Sequence, residues 1–131
     1  MKSVIFSGSN KRCPDQMKIW ETILKENGVN VFSPENFSHD QRWQGSTEEV
    51  RNFAYELTVD HFEKMKEYDI VLIFNCDGYI GLSTTMELGC AYGLGKEIYS
   101  VQPDDVEICR DVLFKGNFKT KEELLDFLRS T

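Results

Sequence analysis

Short apolar runs alternate with longer amphipathic stretches along this chain. Residues 4–6 and 70–74 are uninterrupted apolar runs, rich in β-branched and aromatic side chains. Such runs are typical of strands that are buried on both faces of a parallel sheet. Two further strands are predicted at 29–32 and 98–101, and an edge strand is predicted near 112–114 after a short helix.

The stretches between the strands carry apolar residues at helical spacing. They predict helices at about 14–27, 46–67, 83–95 and 120–128, with capping boxes at the starts of the second and the fourth. The predicted buried side of the second helix consists of Val50, Phe53, Leu57, Phe62 and Met65.

This alternation predicts one flavodoxin-like (Rossmann-like) α/β domain over residues 1–131. Its five parallel strands are expected in the order 2-1-3-4-5, with helices on both faces of the sheet. In this order the chain changes direction between strands one and three, so the loops 7–12 and 75–85 should face each other. Open α/β sheets bind their ligands at such a switch point.

The charge balance narrows the range of partners. The chain has 131 residues and a net charge of -7. It therefore has no surplus of basic residues to neutralise a nucleic-acid polymer or an anionic membrane. The apolar run at 4–6 is too short for a signal peptide or a membrane span, so a cytoplasmic location is expected.

The cysteines are expected to be free thiols in a reducing cytosol, because their spacing matches neither a CxxC motif nor a metal site. No metal ion is therefore expected. Cys76 lies in the second candidate loop, where it is either a reactive thiol or a small buried hydrophobe. The other cysteines are Cys13, Cys90 and Cys109.

The loop after the first strand, residues 7–12, is small, contains glycine and carries basic residues. A loop of this kind between a strand and a helix can bind phosphate through its backbone N–H groups, and Lys11 or Arg12 would add positive charge. The loop lacks the Walker pattern. The alternative is an ordinary loop with a solvated lysine and arginine.

Glu87 is predicted to lie in the first turn of the third helix, at the switch point of the sheet. Two interpretations stay open. Thr84 and Glu87 have the spacing of a capping box, the device that is predicted at Ser46 and Thr120. Alternatively, the helix dipole keeps the Glu87 carboxylate ionised, and the carboxylate attacks or stabilises the oxocarbenium-like carbon of a glycosidic bond.

The motifs of these loops resemble the nucleoside 2-deoxyribosyltransferase superfamily, across essentially the whole chain. They are GSNKR at 8–12, Asp69 at the start of the central strand, and N-x-D-G-Y-I-G-x-S-T-x-x-E-x-G-x-A-x-x-x-G-K at 75–96. In that superfamily the glutamate of this helix attacks C1′ of the (deoxy)ribosyl group, which implies that Glu87 is the nucleophile. The resemblance further implies a nucleoside or nucleotide substrate, no metal or organic cofactor, and a homodimer or higher homo-oligomer in which a neighbouring subunit completes each site.

One branch of this superfamily, the deoxynucleoside 5′-monophosphate N-glycosidases, hydrolyses the bond rather than transferring the sugar to another base. Two departures favour this branch: Gly81 stands where the transferases carry an aspartate, and residues 7–9 (SGS) stand where they tend to carry a tyrosine. Asp77 is the candidate that handles the leaving base, and Tyr79 either stacks on the base or packs internally. The predicted substrate-binding residues are Ser7, Gly8, Ser9, Arg12, Gly78, Tyr79, Gly81, Ser83 and Thr84.

Two other classes of protein stay open. A nucleotide-binding sensor module would use the same site without turnover, and the missing aspartate and tyrosine favour it. A flavodoxin-like electron carrier would need a hydroxyl-rich phosphate loop and aromatic residues that flank the flavin, and residues 7–9 fit that pattern only loosely.

Overall fold

Strands and helices alternate along the chain in the computed structural model, which describes residues 1–8, 12–34 and 44–131. The strands are β1 (Val4–Gly8), β2 (Val31–Phe32), β3 (Ile70–Phe74), β4 (Glu97–Ser100) and β5 (Gly116–Asn117). The helices are α1 (Pro14–Glu26), α2 (Thr47–Met65), α3 (Leu82–Gly93), α4 (Ile108–Asp111) and α5 (Lys121–Arg129). A 3-10 turn, Cys76–Gly78, follows β3.

The described strands form one parallel sheet in the order β2-β1-β3-β4-β5, which confirms the predicted order. Ser7 of β1 lies beside Ile73 of β3, and Gly8 lies beside Phe74. The last position of β1 requires glycine, because a Cβ at Gly8 would lie 2.8 Å from the backbone oxygen of Phe74. β1 and β3 therefore end at the same level, and the loops that follow them start side by side, as predicted.

Side chains of the strands alternate between two apolar layers, one on each face of the sheet. Val4 and Phe6 pack with residues of α1 and α5 in the first layer. Ile5 packs with residues of α2 and α3 in the second layer. Ser7 follows the same alternation, so its hydroxyl lies on the face that α2 and α3 cover.

The long helix α2 is fully buried only near its end. Of its predicted buried side, Met65 is buried and the other four residues are half-buried, and His61 is a further buried residue of this helix. α2 has 19 residues and spans roughly 28 Å, whereas the five residues of β1 span roughly 17 Å. Because His61 lies against the end of β1, the helical turns before it extend beyond the carboxyl edge of the sheet.

The edge strand is β5, Gly116–Asn117, and its predicted position at 112–114 is wrong. Residues 112–114 instead form the turn after α4, and Val112 is exposed. Glycine and asparagine have little tendency to form strands, so the local sequence does not mark β5. Its pairing with Tyr99 and Ser100 of β4 determines where the strand lies.

Candidate functional site

Three polar side chains from three elements meet at the carboxyl end of β1. Oγ of Ser7 lies 2.8 Å from Nε2 of His61 in α2. The same nitrogen lies 3.7 Å from Oε2 of Glu87 in α3. Ser7 and His61 are 1% and 7% exposed, whereas the Glu87 side chain keeps 19% of its surface exposed. The cluster therefore presents a carboxylate to solvent, with a buried imidazole and hydroxyl behind it.

The imidazole of His61 is neutral at pH 7. Burial lowers the pKa of His61 from 6.5 to about 4, although the charge of Asp60 opposes this shift. A neutral imidazole carries one N–H, and a proton on Nε2 would point toward Ser7 and Glu87. His61 is not among the predicted site residues, because its position near the end of an amphipathic helix favours a partner-satisfied histidine over a site residue.

Glu87 lies in the second turn of α3, so its predicted first-turn position and its predicted capping box with Thr84 are both wrong. The helix begins at Leu82, and Gly81 is its N-cap in an extended conformation. Thr84 and Leu88 are buried, and Glu87 shares their side of the helix because residues three positions apart are neighbours. The Glu87 carboxylate is therefore positioned by the side of α3 on which it lies, the side that faces the sheet. It lies beyond the first turn, where capping and the helix dipole act most strongly.

The two helices that start at the switch point differ from α2 and α5 at their N-termini. Ser46 and Thr120 cap α2 and α5 with their side chains. No side chain of the described residues caps α1 or α3. Helix N-termini without side-chain caps are suited to bind anions through backbone N–H groups. In the first turn of α3, Ser83 is exposed and Thr84 is buried, so a ligand would meet the Ser83 hydroxyl before that of Thr84.

The turn after β3 has left-handed backbone at Asp77 (φ 58°) and Gly78 (φ 76°). Asn75 anchors this turn, and it is fully buried. Its side-chain oxygen accepts hydrogen bonds from the backbone N–H groups of Val101 and Gln102, and its amide donates to the Gln102 carbonyl at 2.7 Å. Asp77 is exposed on the turn and is accessible to a ligand. Asn75 is part of the predicted loop motif but is not among the predicted site residues; an Asx residue before a glycine is a typical signal of such a turn.

Arg12 and Tyr79 connect the first loop to the turn after β3. The guanidinium carbon of Arg12 lies 4.6 Å from the centroid of the Tyr79 ring, which is the geometry of a cation–π contact. A Cβ at Gly81 would lie 3.1 Å from the Tyr79 hydroxyl, so this oxygen lies where a side chain at position 81 would begin. Three of the predicted binding residues are thus together, whereas Ser9 lies outside the described residues.

A disulfide joins Cys13, at the start of α1, to Cys76 in the turn after β3. The prediction of free thiols is therefore wrong for this pair, and it is confirmed for Cys90 and Cys109. Cys13 and Cys76 are 63 positions apart and become neighbours because β1 and β3 are adjacent. In the part of the chain that the structure describes, no three His, Cys, Asp or Glu side chains form a metal-binding group. None of the helices described here is long and apolar enough to cross a membrane.

A second polar cluster supports the start of α3. Nε of Arg110 donates to Asp104 at 2.6 Å, and a terminal nitrogen of Arg110 donates to the Thr85 hydroxyl at 3.2 Å. Burial would raise the pKa of Asp104, but hydrogen bonds from Arg110 and from backbone N–H groups hold it below its ordinary value. Thr85 in turn donates to the Gly81 carbonyl. The loop after β4 is thereby attached to the first turn of the helix that carries Glu87.

No family model and no curated protein matches this sequence, but its fold matches solved structures. A 2-deoxyribosyltransferase from Bacillus psychrosaccharolyticus aligns over 93% of this chain and 89% of its own, with a TM-score of 0.71 and 18% identity. The CMP N-glycosidase of Clostridium botulinum aligns over 99% and 100%, with a TM-score of 0.54 and 18% identity. A conserved protein from Enterococcus faecalis V583 aligns over 99% and 98%, with a TM-score of 0.57 and 14% identity.

The chain shares its fold with this 2-deoxyribosyltransferase and this CMP N-glycosidase. Sequence identities of 18% show a likeness of fold alone, so the roles of individual residues in this chain depend on their geometry.

Proposed function

We propose that this protein cleaves the N-glycosidic bond of a nucleoside 5′-monophosphate or a nucleoside, with Glu87 as the nucleophile. One observation carries the proposal: the partly exposed Glu87 carboxylate lies beside His61 and Ser7 at the switch point of a 2-deoxyribosyltransferase-like sheet. Two proteins of this fold are a 2-deoxyribosyltransferase and a CMP N-glycosidase, and both names describe chemistry at the glycosidic bond of a nucleoside.

The proposed reaction has two steps. In the first, a Glu87 oxygen bonds to C1′ while the bond between C1′ and the base nitrogen breaks, and the departing base nitrogen takes up a proton from solvent. In the second, water or another base attacks C1′, the bond to Glu87 breaks, and the carboxylate is restored. Attack by water is hydrolysis and attack by a base is exchange, and in either case the attacking group releases a proton to solvent. Neither step requires a metal ion or an organic cofactor.

The remaining site residues bind the substrate in this proposal. The N-termini of α1 and α3, which no side chain of the described residues caps, hold the 5′-phosphate with Arg12 and Ser83 beside them, since helix N-termini favour anions. Asp77 handles the leaving base from the exposed turn. Tyr79 stacks on the same base with the part of its ring that Arg12 does not cover. Ser7 acts on His61 rather than on the substrate, because its hydroxyl is buried.

Hydrolysis of a nucleotide is favoured over base exchange. Position 81 is glycine, whereas the transferases that this sequence resembles carry an aspartate there. The Tyr79 hydroxyl lies next to the place where a side chain at position 81 would begin. Ser7, where those transferases tend to have a tyrosine, is already bonded to His61. Both features support the branch that hydrolyses 5′-monophosphates.

A second copy of the chain completes the site in this proposal. Leu82 and Met86 of α3 are 89% and 53% exposed, and Ile108 and Val112 in and after α4 are 72% and 69% exposed. Large apolar side chains exposed near one another favour burial against a partner. Sedimentation analysis should therefore give twice the mass of one chain or more, and Leu82→Lys should lower that mass.

Chromatographic detection of released base tests the proposal. Wild type, Glu87→Gln and Glu63→Gln are incubated with a panel of nucleosides and 5′-monophosphates, with and without an acceptor base. We expect Glu87→Gln to lose activity by a factor on the order of 10³ or more, because the nucleophile is absent. Glu63 is a matched control, since it is a glutamate on α2 whose side chain is 60% exposed, and its variant should keep wild-type activity.

Other outcomes separate the alternatives. A new nucleoside that forms only with the acceptor base would establish exchange, and full activity of Glu87→Gln would contradict its role as nucleophile. Wild type that releases no base, yet gains thermal stability when nucleotides are added, would favour the second candidate, a nucleotide-binding sensor module. The glycine at position 81 is the feature that supports this candidate.

A further inference from the structure

The pairing of Ser7 with His61 exceeds what packing requires. The neighbours of Ser7 on this face of the sheet, Ile5 and Ile73, are apolar and fully buried. Burying a hydroxyl and an imidazole costs free energy unless both are hydrogen-bonded, and an apolar pair would fill this space without that cost. The polar pair therefore points to a role beyond stability.

His61 is surrounded by groups from four elements. Ser7 of β1 lies at 2.8 Å and Glu87 of α3 at 3.7 Å from Nε2, and the ring of Phe32 in β2 lies 6.3 Å from the imidazole centroid. On α2 itself, the neighbouring charged group is Asp60. Within this set of contacts, Glu87 is the group that reaches from the imidazole to the open side of the site, since its side chain is partly exposed.

The geometry suits an imidazole that orients a carboxylate. A proton on Nε2 favours the Glu87 carboxylate electrostatically, because an ionised carboxylate only accepts hydrogen bonds. The distance of 3.7 Å is longer than a hydrogen bond, and such contacts commonly shorten when substrate binds. The Ser7 hydroxyl holds the ring in place from β1. Orientation matters because a misplacement of the attacking group by 1 Å costs about 10²-fold in rate.

We propose that His61, held by the Ser7 hydroxyl, is a positioning residue that aims the Glu87 carboxylate at C1′. The inference rests on the proposed function and deepens it. His61 acts through Glu87 and does not touch the substrate.

Kinetics of variants give the first test. His61→Leu removes both ring nitrogens, and we expect kcat to fall by about 10²-fold while KM stays within about threefold, because substrate binding does not use His61. His61→Gln places an amide nitrogen near the position of Nε2 and should recover roughly tenfold of that loss. Ser7→Ala should lower kcat by roughly tenfold. Met65→Leu, one turn further along the buried side of α2, is the matched control and should keep the wild-type kcat.

NMR of the imidazole gives a second test that does not depend on turnover. The chain has two histidines, so a His39→Gln background leaves His61 as the only ¹⁵N imidazole signal. In that background, Glu87→Gln should change the ¹⁵N shifts and the tautomer balance of His61, because a neighbouring negative charge is removed. Glu63→Gln should leave both unchanged.

The two tests separate a failure of the inference from a failure of the proposed function. Identical His61 spectra with and without Glu87→Gln would overturn the inference, even if base release requires Glu87. A His61→Leu kcat within about threefold of wild type would overturn it as well. If wild type releases no base, the proposed function and the positioning role both fail, and a Glu87-dependent His61 spectrum would then mark a structural pair. Thermal melts check folding, and if His61→Leu does not fold, His61→Gln and Ser7→Ala are judged by the same criteria.

Discussion

The two faces of the sheet use their buried space differently. On the face covered by α1 and α5, Phe74 makes edge-to-face contacts with Phe6 and Trp20 inside an apolar cluster. On the face covered by α2 and α3, the apolar layer gives way at the carboxyl edge to Ser7 and His61. The same strands form both faces, so the two faces differ in the chemistry of their side chains and not in strand order.

This difference separates stabilisation from chemistry. An aromatic cluster stabilises the fold through the apolar area that it buries. A buried imidazole and hydroxyl contribute less to stability, but they lie beside the carboxylate of the candidate site. Variants on the α1 and α5 face should therefore change stability, and variants at the polar end of the other face should change activity and pH dependence.

The largest effect is expected from the Cys13–Cys76 disulfide, which belongs to the α1 and α5 face. The bond closes a loop across 63 positions, which stabilises the folded state by roughly 4 kcal/mol in the chain-entropy model. The double variant Cys13→Ala/Cys76→Ala should lower the free energy of unfolding by this amount, measured by urea denaturation. Reduction of the wild type should have the same effect.

The free, exposed Cys109 provides the control, since Cys109→Ser should leave stability unchanged with or without reductant. A wild type whose unfolding midpoint does not respond to reductant would show that the disulfide adds nothing to stability.

An intermediate effect is expected from the titration of His61 on the other face. The pKa of His61 is about 4 in the folded protein, below its ordinary value of 6.5. Between these two pH values the unfolded chain binds a proton that the folded chain does not, so the free energy of unfolding falls as the pH falls. Over the whole window the loss amounts to about 3 kcal/mol at most.

Urea denaturation at several pH values between 7 and 4 measures this loss. Wild type should lose more stability than His61→Gln over that range, because the variant has no imidazole to protonate at this position. Parallel curves for the two proteins would contradict the buried, neutral state of His61. Asp104, whose pKa is also lowered, acts at lower pH, because its stabilisation is lost only as the pH falls below the ordinary range of a carboxyl group.

The smallest effect is expected at Gly81, which borders the site without belonging to either apolar layer. Its φ of -78° suits any residue, and an added Cβ would lie 3.1 Å from the hydroxyl of Tyr79, an exposed side chain that can move. Gly81→Ala should therefore change the free energy of unfolding by no more than about 0.5 kcal/mol. Gly8→Ala is the contrasting variant, because its Cβ would lie 2.8 Å from the backbone of Phe74; equal thermal shifts for the two would contradict this picture.

Much of the fold follows from local sequence. The uninterrupted apolar run of β3 and the helical spacing of α1 and α5 predict those elements, and their alternation predicts the strand order that the sheet has. The caps at Ser46 and Thr120 were also predicted, because a capping box is formed by residues only three positions apart. The same local reasoning failed at Thr84, where α3 had already begun at Leu82.

Glu87 shows how far the sequence reaches toward the candidate site. Its motif marks it as the residue to examine, and the predicted switch point places it at the correct end of the sheet. The motif carries no information on His61, which lies on another helix and becomes a neighbour of Glu87 only when α2 and α3 pack side by side. The disulfide was missed for the same reason, since its cysteines follow two different strands.

The sequence by itself therefore determined the kinds of elements and their order in the sheet, and it singled out Glu87 as the candidate carboxylate. The tertiary structure decided where α3 begins, which part of α2 is buried and where β5 lies. It also decided the proximity of Ser7, His61 and Glu87. Periodicity and capping depend on residues within a few positions of one another, and a sequence displays those directly. Contacts between distant side chains depend on strand register and on the lengths of packed helices, which only the folded chain sets.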